Sequence, residues 1–287
     1  MKLAKILLDI SKQDLAAAKC LYENELYSQA VFYLQQSVEK AAKAFGLLMG
    51  IISENELKGR KGIGHNPLKI HKKVADKQLE QIGKLKDGFE ILPELKKTEL
   101  IRTINIEEMH KTLEKFIRFY ETITKEKSVY IPKDEIEQII EELENFETKV
   151  QELKRNIHTL SVSESEISKL KSDLLEFFNT LYIYDSEKIE KVKEDLEQVL
   201  NPKLIEDVLR KLILMFSDVI YIHFSLFYFS IITFPHAVNT RYPEGELNPL
   251  EIYNREYHLV QLFEECFEIV NKTLKRTEGI MKSLNEQ

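Results

Sequence analysis

Apolar positions recur every three or four residues through almost the whole chain. Leu3, Ile6, Leu7, Ile10, Leu15, Ala18 and Leu21 form one stripe, and Val31, Leu34, Val38, Ala41, Phe45 and Leu48 form the next. That period is the signature of an amphipathic helix, so helices are predicted over 3–22 and 28–49. Asn24-Glu25 reads as a tight connection and Gly50 as a stop. So short a connection makes the two helices an antiparallel pair. Asn66-Pro67 looks like an N-cap followed by proline at the first helical position, which opens a third helix at Leu68.

The middle of the chain carries heptad-like seams. Ile106, Met109, Leu113, Phe116, Tyr120 and Ile123 make one, and Ile136, Ile139, Leu143, Phe146, Val150, Leu153, Ile157 and Leu160 another. Ile167, Leu170, Leu174, Phe177, Leu181 and Tyr184 follow, then Ile189, Val192, Leu196 and Val199. Asn105 with Glu108 and Ser163 with Glu166 have capping-box spacing at two helix starts. The breaks near Pro132, 159–165 and Asp185 are short, so successive helices are expected to fold back as antiparallel coiled-coil hairpins. A last helix is expected from about Pro249 to Ser283.

Composition agrees with an all-α fold. In 287 residues there are only 9 Gly and 7 Pro, too few turn formers for a β-rich chain. Hydrophobic residues make up 43% and charged residues 31%, a balance that supports a packed core and excludes a disordered chain. Cys20 and Cys266 both sit in amphipathic stretches and are expected as small buried hydrophobes in a reducing compartment. The first residues lack the apolar run and cleavage site of a secretory signal. A cytoplasmic location is therefore expected.

The run from Leu212 to Phe234 is long enough to span a bilayer, but Asp218 and His223 lie inside it and no Lys or Arg flanks its far end. It is read as the central helix of a bundle, with no membrane partner, and Asp218 and His223 as a satisfied core pair.

The net charge of −7 argues against indiscriminate nucleic-acid binding, yet one stretch departs from it. Lys58, Arg60, Lys61, Lys69, Lys72 and Lys73 follow one another with no acid among them. Gly59, Gly62 and Gly64 permit close backbone approach, and the stretch runs into a helix N-terminus that favours anions. It reads either as a phosphate or RNA-backbone site or as a solvated basic loop. No Cys/His cluster has zinc spacing and no phosphate- or dinucleotide-binding glycine loop is present, so neither metal nor cofactor is expected.

Two separated segments resemble the HEPN family of small helical domains found in prokaryotic defence and toxin–antitoxin systems. The first is Asp14-Leu15-Ala16-Ala17-Ala18, Tyr22-Glu23, Tyr27, Ala30-Val31-Phe32, Gln35-Gln36, Glu39-Lys40-Ala41 and Lys43-Ala44, followed by His65 and Leu68. The second is Thr240-Arg241-Tyr242-Pro243 before a long terminal helix. The resemblance implies a HEPN-like up-and-down helical bundle formed by both termini, 1–75 and 203–287, with 76–202 as an antiparallel coiled-coil insertion. It also implies a homodimer.

HEPN ribonucleases are recognised by an Arg, four to six residues, then a His, and the resemblance implies metal-independent RNA cleavage using the RNA's own 2′-hydroxyl. Arg60 and His65 have that spacing, although Lys61 stands where the family usually has Asn, Asp or His. His236 and Arg241 have it in reverse order, at the family's expected end of the chain; the alternative is a corner that packs the final helix. Arg255 and His258 share a helix face but are too close in sequence for the pattern. Histidine moves protons near neutral pH, and Arg grips phosphate in a planar fork. Three functions remain open at this point. They are an RNA- or nucleotide-binding protein of a defence or toxin–antitoxin system with endoribonuclease activity, a non-catalytic partner of a nucleotidyltransferase or another protein, and a structural coiled-coil adaptor.

Overall fold

The computed structural model describes residues 2–58, 63–91, 131–182, 185–242 and 248–285, together with positions 110, 111, 114, 117, 118 and 121. The helices are α1 (Lys2–Glu23), α2 (Tyr27–Leu48), α3 (Glu54–Lys58), α4 (Leu68–Ile91), α5 (Lys133–Asn156), α6 (Glu164–Leu181), α7 (Ser186–Val199), α8 (Pro202–Thr233), α9 (His236–Asn239), α10 (Pro249–Ile252), α11 (His258–Gln261) and α12 (Phe263–Asn285). No strand occurs among the described residues, and the fold is all-α. The seam starting at Ile106, the Asn105–Glu108 capping pair and Tyr184 lie outside the described residues.

By contact the chain divides into two units. The first comprises Met1–Gln78, Glu114–Lys149 and Asp218–Gln287; the second comprises Leu79–Leu113 and Val150–Ser217. Both chain ends fall in the first unit, but 76–202 does not form one separate body, because 114–149 groups with the termini. The reason is visible in α5. Its Ile136, Ile140 and Leu143 are buried in the same core as Leu8, Leu15, Leu34, Phe263 and Val270.

In the first unit, α1 and α2 pack along their length through small residues: Ala18, Ala30, Ala41 and Ala44 are completely out of water. The turn between them closes with Leu26 N–H donating to Leu21 O and Glu25 N–H to Tyr22 O, the paired bonds of a Schellman end. Gly50 ends α2 in the same way, with φ +63° and bonds from Gly50 and Ile51 to Leu47 and Gly46. Glu25 adopts the left-handed conformation without being glycine, at φ +61°.

Helix α12 closes over α1, with Tyr22 stacked on Phe263 at 4.3 Å and Lys12 paired to Glu278 at 2.8 Å. Arg276 on α12 binds Glu147 of α5 at 2.6 Å and Asp218 of α8 at 2.7 Å, with its guanidinium 4.3 Å from the Tyr221 ring. The pair expected between Asp218 and His223 is therefore corrected. The carboxylate takes the cation from α12, and the ring of His223 lies instead among Phe45, His71 and Phe224.

Helix α8 is the one described helix long and apolar enough to cross a membrane. From Tyr221 onward its Ile222, Leu226, Phe227, Phe229, Ile231 and Ile232 are buried in the core of the first unit, whereas Met215, Phe216, Ile220 and Phe224 of the same apolar run are exposed. The expected single helix from Pro249 to Ser283 is in fact three pieces. Asn254 explains one break: its Nδ2 donates to Glu251 O and its Oδ1 accepts from Glu256 N–H, substituting local bonds for the helical ladder. Of the two cysteines, Cys266 is buried, which pushes its thiol pKa up, but Cys20 is exposed, contrary to expectation.

The second unit is lightly buried. Ser163 forms the expected capping box with Glu166, and Asp185 caps α7. Helices α6 and α7 pack together and are tied by Lys171 to Glu197 at 2.6 Å, yet α7 has no buried residue and Val199 is exposed. Arg210 of α8 donates to Leu160 O at 2.6 Å while Glu206 accepts from Val162 N–H, fixing the segment before α6.

Two substitutions test this packing by chemical denaturation. A Cβ on Gly46 would come within 2.9 Å of Ile70 Cγ2 and 3.1 Å of Ile52, so Gly46→Val is expected to lower stability by about 1–3 kcal/mol. Arg276→Met strands two largely buried carboxylates and is expected to cost about 3 kcal/mol, much of it recovered when Glu147 and Asp218 are also made apolar.

Candidate functional site

The connection from α3 to α4 is anchored at its described end by Ile63, whose N–H donates to Glu56 O and whose side chain is buried with Ala42, Ile52 and Ile70. Gly64 follows at φ +56°, and Asn66 N–H closes the turn onto Ile63 O. Asn66 Oδ1 then accepts from Leu68 N–H and buried Pro67 leads into α4, as the sequence predicted. This turn carries His65 at its tip, with its side chain 87% exposed.

The ring of His65 is held from one side. Its Nδ1 lies 3.1 Å from Oε1 of Glu39, a residue of α2 that is 3% exposed. The same oxygen accepts from Lys43 Nζ at 2.7 Å, and Oε2 accepts from Gln35 Nε2 at 3.2 Å. Burial alone pushes the Glu39 carboxyl pKa up, but the bonds from Lys43 and Gln35 and the nearby His65 outweigh it, and the net displacement is downward. Glu39 is thus an ionised carboxylate, which only accepts hydrogen bonds, so Nδ1 of His65 carries the proton. The other nitrogen, Nε2, is left for a ligand. A carboxylate behind an exposed imidazole fixes its tautomer, an arrangement that general bases and acids use.

Arg60 and Lys61 and the side chain of Lys58 lie outside the described residues. Lys69 is exposed on the first turn of α4. Lys72 pairs with Asp76 at 2.9 Å and Lys73 with Glu56, so acids just beyond the basic stretch neutralise two of its cations. The unopposed charge expected from the sequence is reduced accordingly.

His236 and Arg241 do not converge on one cleft. His236 is 7% exposed, with Nδ1 2.7 Å from the Tyr253 hydroxyl and its ring edge-on to Tyr253 and Tyr257. Arg241 is exposed, donates to Ala237 O and lies 4.8 Å from the Phe32 ring. The corner reading fits these positions: Thr240 O also accepts from Ser28 of α2 at 2.6 Å. Arg255 donates to the Tyr27 hydroxyl at 3.0 Å and pairs with Glu25 beside an open cleft of about 550 Å³. Among the described residues no group of His, Cys, Asp and Glu is arranged to hold a metal ion.

Glu39, the carboxylate that holds the His65 ring, is the residue of this candidate site that the sequence does not single out. It appears there only inside Gln35-Gln36-x-x-Glu39-Lys40-Ala41. The usable signal was the i, i+4 series Gln35, Glu39, Lys43 on the helix face that also carries core residues.

Burial lowers the pKa of His236, with His258 adding to the effect, and that of His223, in each case to about 4. The unfolded chain then binds more protons than the folded one between about pH 4 and the ordinary histidine value near 6.5. Stability is therefore full above about pH 6.5 and falls as pH drops through that window, by about 3 kcal/mol per histidine if nothing relaxes. Urea midpoints measured from pH 7.5 to 4.5 should fall steadily, and His236→Gln should flatten part of the slope.

A family model for the HEPN domain matches residues 4–153, just over half the chain. No curated protein and no solved structure matches it. The matched span covers α2 to α4 and most of α1 and α5, with both Glu39 and His65, and it ends before His236 and Arg241. On that match the chain belongs to the HEPN domain family.

Proposed function

We propose that the protein is a cytoplasmic, RNA- or nucleotide-binding HEPN protein of a defence or toxin–antitoxin system, acting as a metal-independent endoribonuclease with His65 as its proton-transfer group. The observation that carries this reading is the exposed His65 ring held at Nδ1 by the buried, ionised Glu39. In the proposed reaction Nε2 takes the proton of the RNA 2′-hydroxyl. O2′ then attacks the adjacent phosphorus and the bond to the 5′-oxygen breaks. A 2′,3′-cyclic phosphate remains on one product, the leaving 5′-oxygen takes a proton from water, and His65 then returns its own proton to the resulting hydroxide. Glu39 stabilises the imidazolium formed meanwhile, as a carboxylate partner does in other proton-transfer sites. Arg60, with the family's spacing to His65, is assigned to the phosphate.

One observation favours the second reading, a non-catalytic helical adaptor that partners a nucleotidyltransferase or another protein. Lys72 and Lys73 are already paired with acids, which leaves less cation for an RNA backbone. A homodimer, the family's habit, is compatible with either reading.

Labelled single-stranded RNA incubated with the full chain in EDTA separates the two. Cleavage with 2′,3′-cyclic ends is expected, falling by about 100-fold or more in His65→Ala, the range of a lost general base, with His236→Gln close to the parent at pH 7.5. RNA retention with no cleavage at any pH would support the adaptor, and full activity in His65→Ala would overturn the assignment of His65.

A further inference from the structure

Behind Glu39 the polar contacts do not end. Gln35 Oε1 accepts from Gln36 Nε2 at 2.7 Å, Gln36 Oε1 accepts from Lys40 Nζ at 2.9 Å, and Lys40 Nζ donates to Asp14 Oδ2 at 2.6 Å. The series runs from α1 through α2 to the turn at His65. Only its Lys40 end touches α1, through Asp14; Gln35 is buried and Asp14, Gln36 and Lys40 are half-buried.

The two amides in the middle have a single permitted orientation. An ammonium only donates, so the Gln36 atom facing Lys40 must be oxygen, which turns its NH₂ toward Gln35. A carboxylate only accepts, so the Gln35 atom facing Glu39 must be nitrogen, which turns its oxygen toward Gln36. The two requirements, imposed from opposite ends, agree. The donor at Oε2 of Glu39 is thereby guaranteed, leaving Oε1 for Lys43 and His65.

We infer that Asp14 and Lys40 are remote positioning residues of the His65 site. The fixed direction of the relay Asp14–Lys40–Gln36–Gln35–Glu39 keeps Glu39 oriented and ionised, and so keeps the His65 proton on Nδ1 and the lone pair on Nε2. This deepens the proposed function, since it rests on His65 being the group that exchanges the proton. If Lys40 becomes a side chain that can also accept, Gln36 is free to flip. Its oxygen then faces Gln35 Oε1, and that repulsion weakens the Gln35–Glu39 hydrogen bond.

The test reads the tautomer itself. Long-range ¹⁵N–¹H correlations are recorded at pH 8 on the full chain with ¹⁵N-labelled histidine, and the His65 ring is assigned by its absence in His65→Gln. The parent is expected to show the Nδ1–H form. Lys40→Arg, which still only donates, is expected to keep it. Lys40→Gln, which lifts the donor-only requirement, and Asp14→Ala, which removes the acceptor that holds the Lys40 ammonium beside Gln36, are expected to lower the ratio of Nδ1–H to Nε2–H by about fivefold, the factor of one net hydrogen bond. Circular dichroism melts run beside the spectra identify any variant that fails to fold, and either Lys40→Gln or Asp14→Ala alone suffices. An unchanged ratio in a folded variant overturns the relay, as does an Nε2–H form in the parent. A shifted ratio together with a parent that cleaves no RNA upholds the relay and removes the catalytic reading. Cleavage that depends on His65 with an unshifted ratio does the reverse.

Discussion

Helix α2 is surrounded on most of its circumference, and a charge placed on such a helix must be met by partners or be neutralised. Glu39 is met: Lys43 and Gln35 from its own helix and His65 from the turn before α4 all contact its carboxylate. The small residues that let α1 lie close, Ala30, Ala41 and Ala44, also keep water from the same helix. Gly46 does for Ile70 and Ile52 what those alanines do for α1, bringing α4 near enough for the His65 turn to reach α2. The position of the exposed imidazole is therefore a consequence of how tightly one helix is enclosed.

Periodicity carried most of the fold. The bounds of α1 and α2 lie within a residue of those read from the apolar stripes, and Gly50, Asn66-Pro67 and the Ser163–Glu166 box do what their chemistry requires. Periodicity says which face is buried but not against what, which is why the seam of α5 was read as belonging wholly to a coiled-coil hairpin. Its Ile136, Ile140 and Leu143 instead complete the core made by the chain ends. The final helix failed for a different reason: its stripe is continuous, but Asn254 competes for backbone bonds that a pattern of apolar residues does not register.

Charge was harder to read than apolarity because its partners are set by the fold. Asp218 is five residues from His223, yet it binds Arg276, 58 positions away. The basic stretch looks unopposed only while its window stops at Lys73; Glu56 before it and Asp76 after it lie one helical turn or one loop away and pair with it. Sequence proximity is a fair guide to charge partners at helical spacing, as in Gln35–Glu39–Lys43, and a poor one across a turn.

The contrast between His65 and His236 shows what a spacing motif leaves out. Each has an arginine at the interval that marks the family's ribonucleases. His236 is enclosed by Tyr253 and Tyr257, and burial, with His258 beside it, holds it neutral far below the pH at which an imidazole could cycle a proton. His65 stands in solvent with a carboxylate behind it, one ring nitrogen held by the protein and the side chain open to a ligand. The buried ring loses the bulk-water access that proton exchange requires, while the exposed ring would lack a defined tautomer without Glu39. A proton-transfer site needs one nitrogen held by the protein and the other open to solvent, and of these two histidines His65 alone has both.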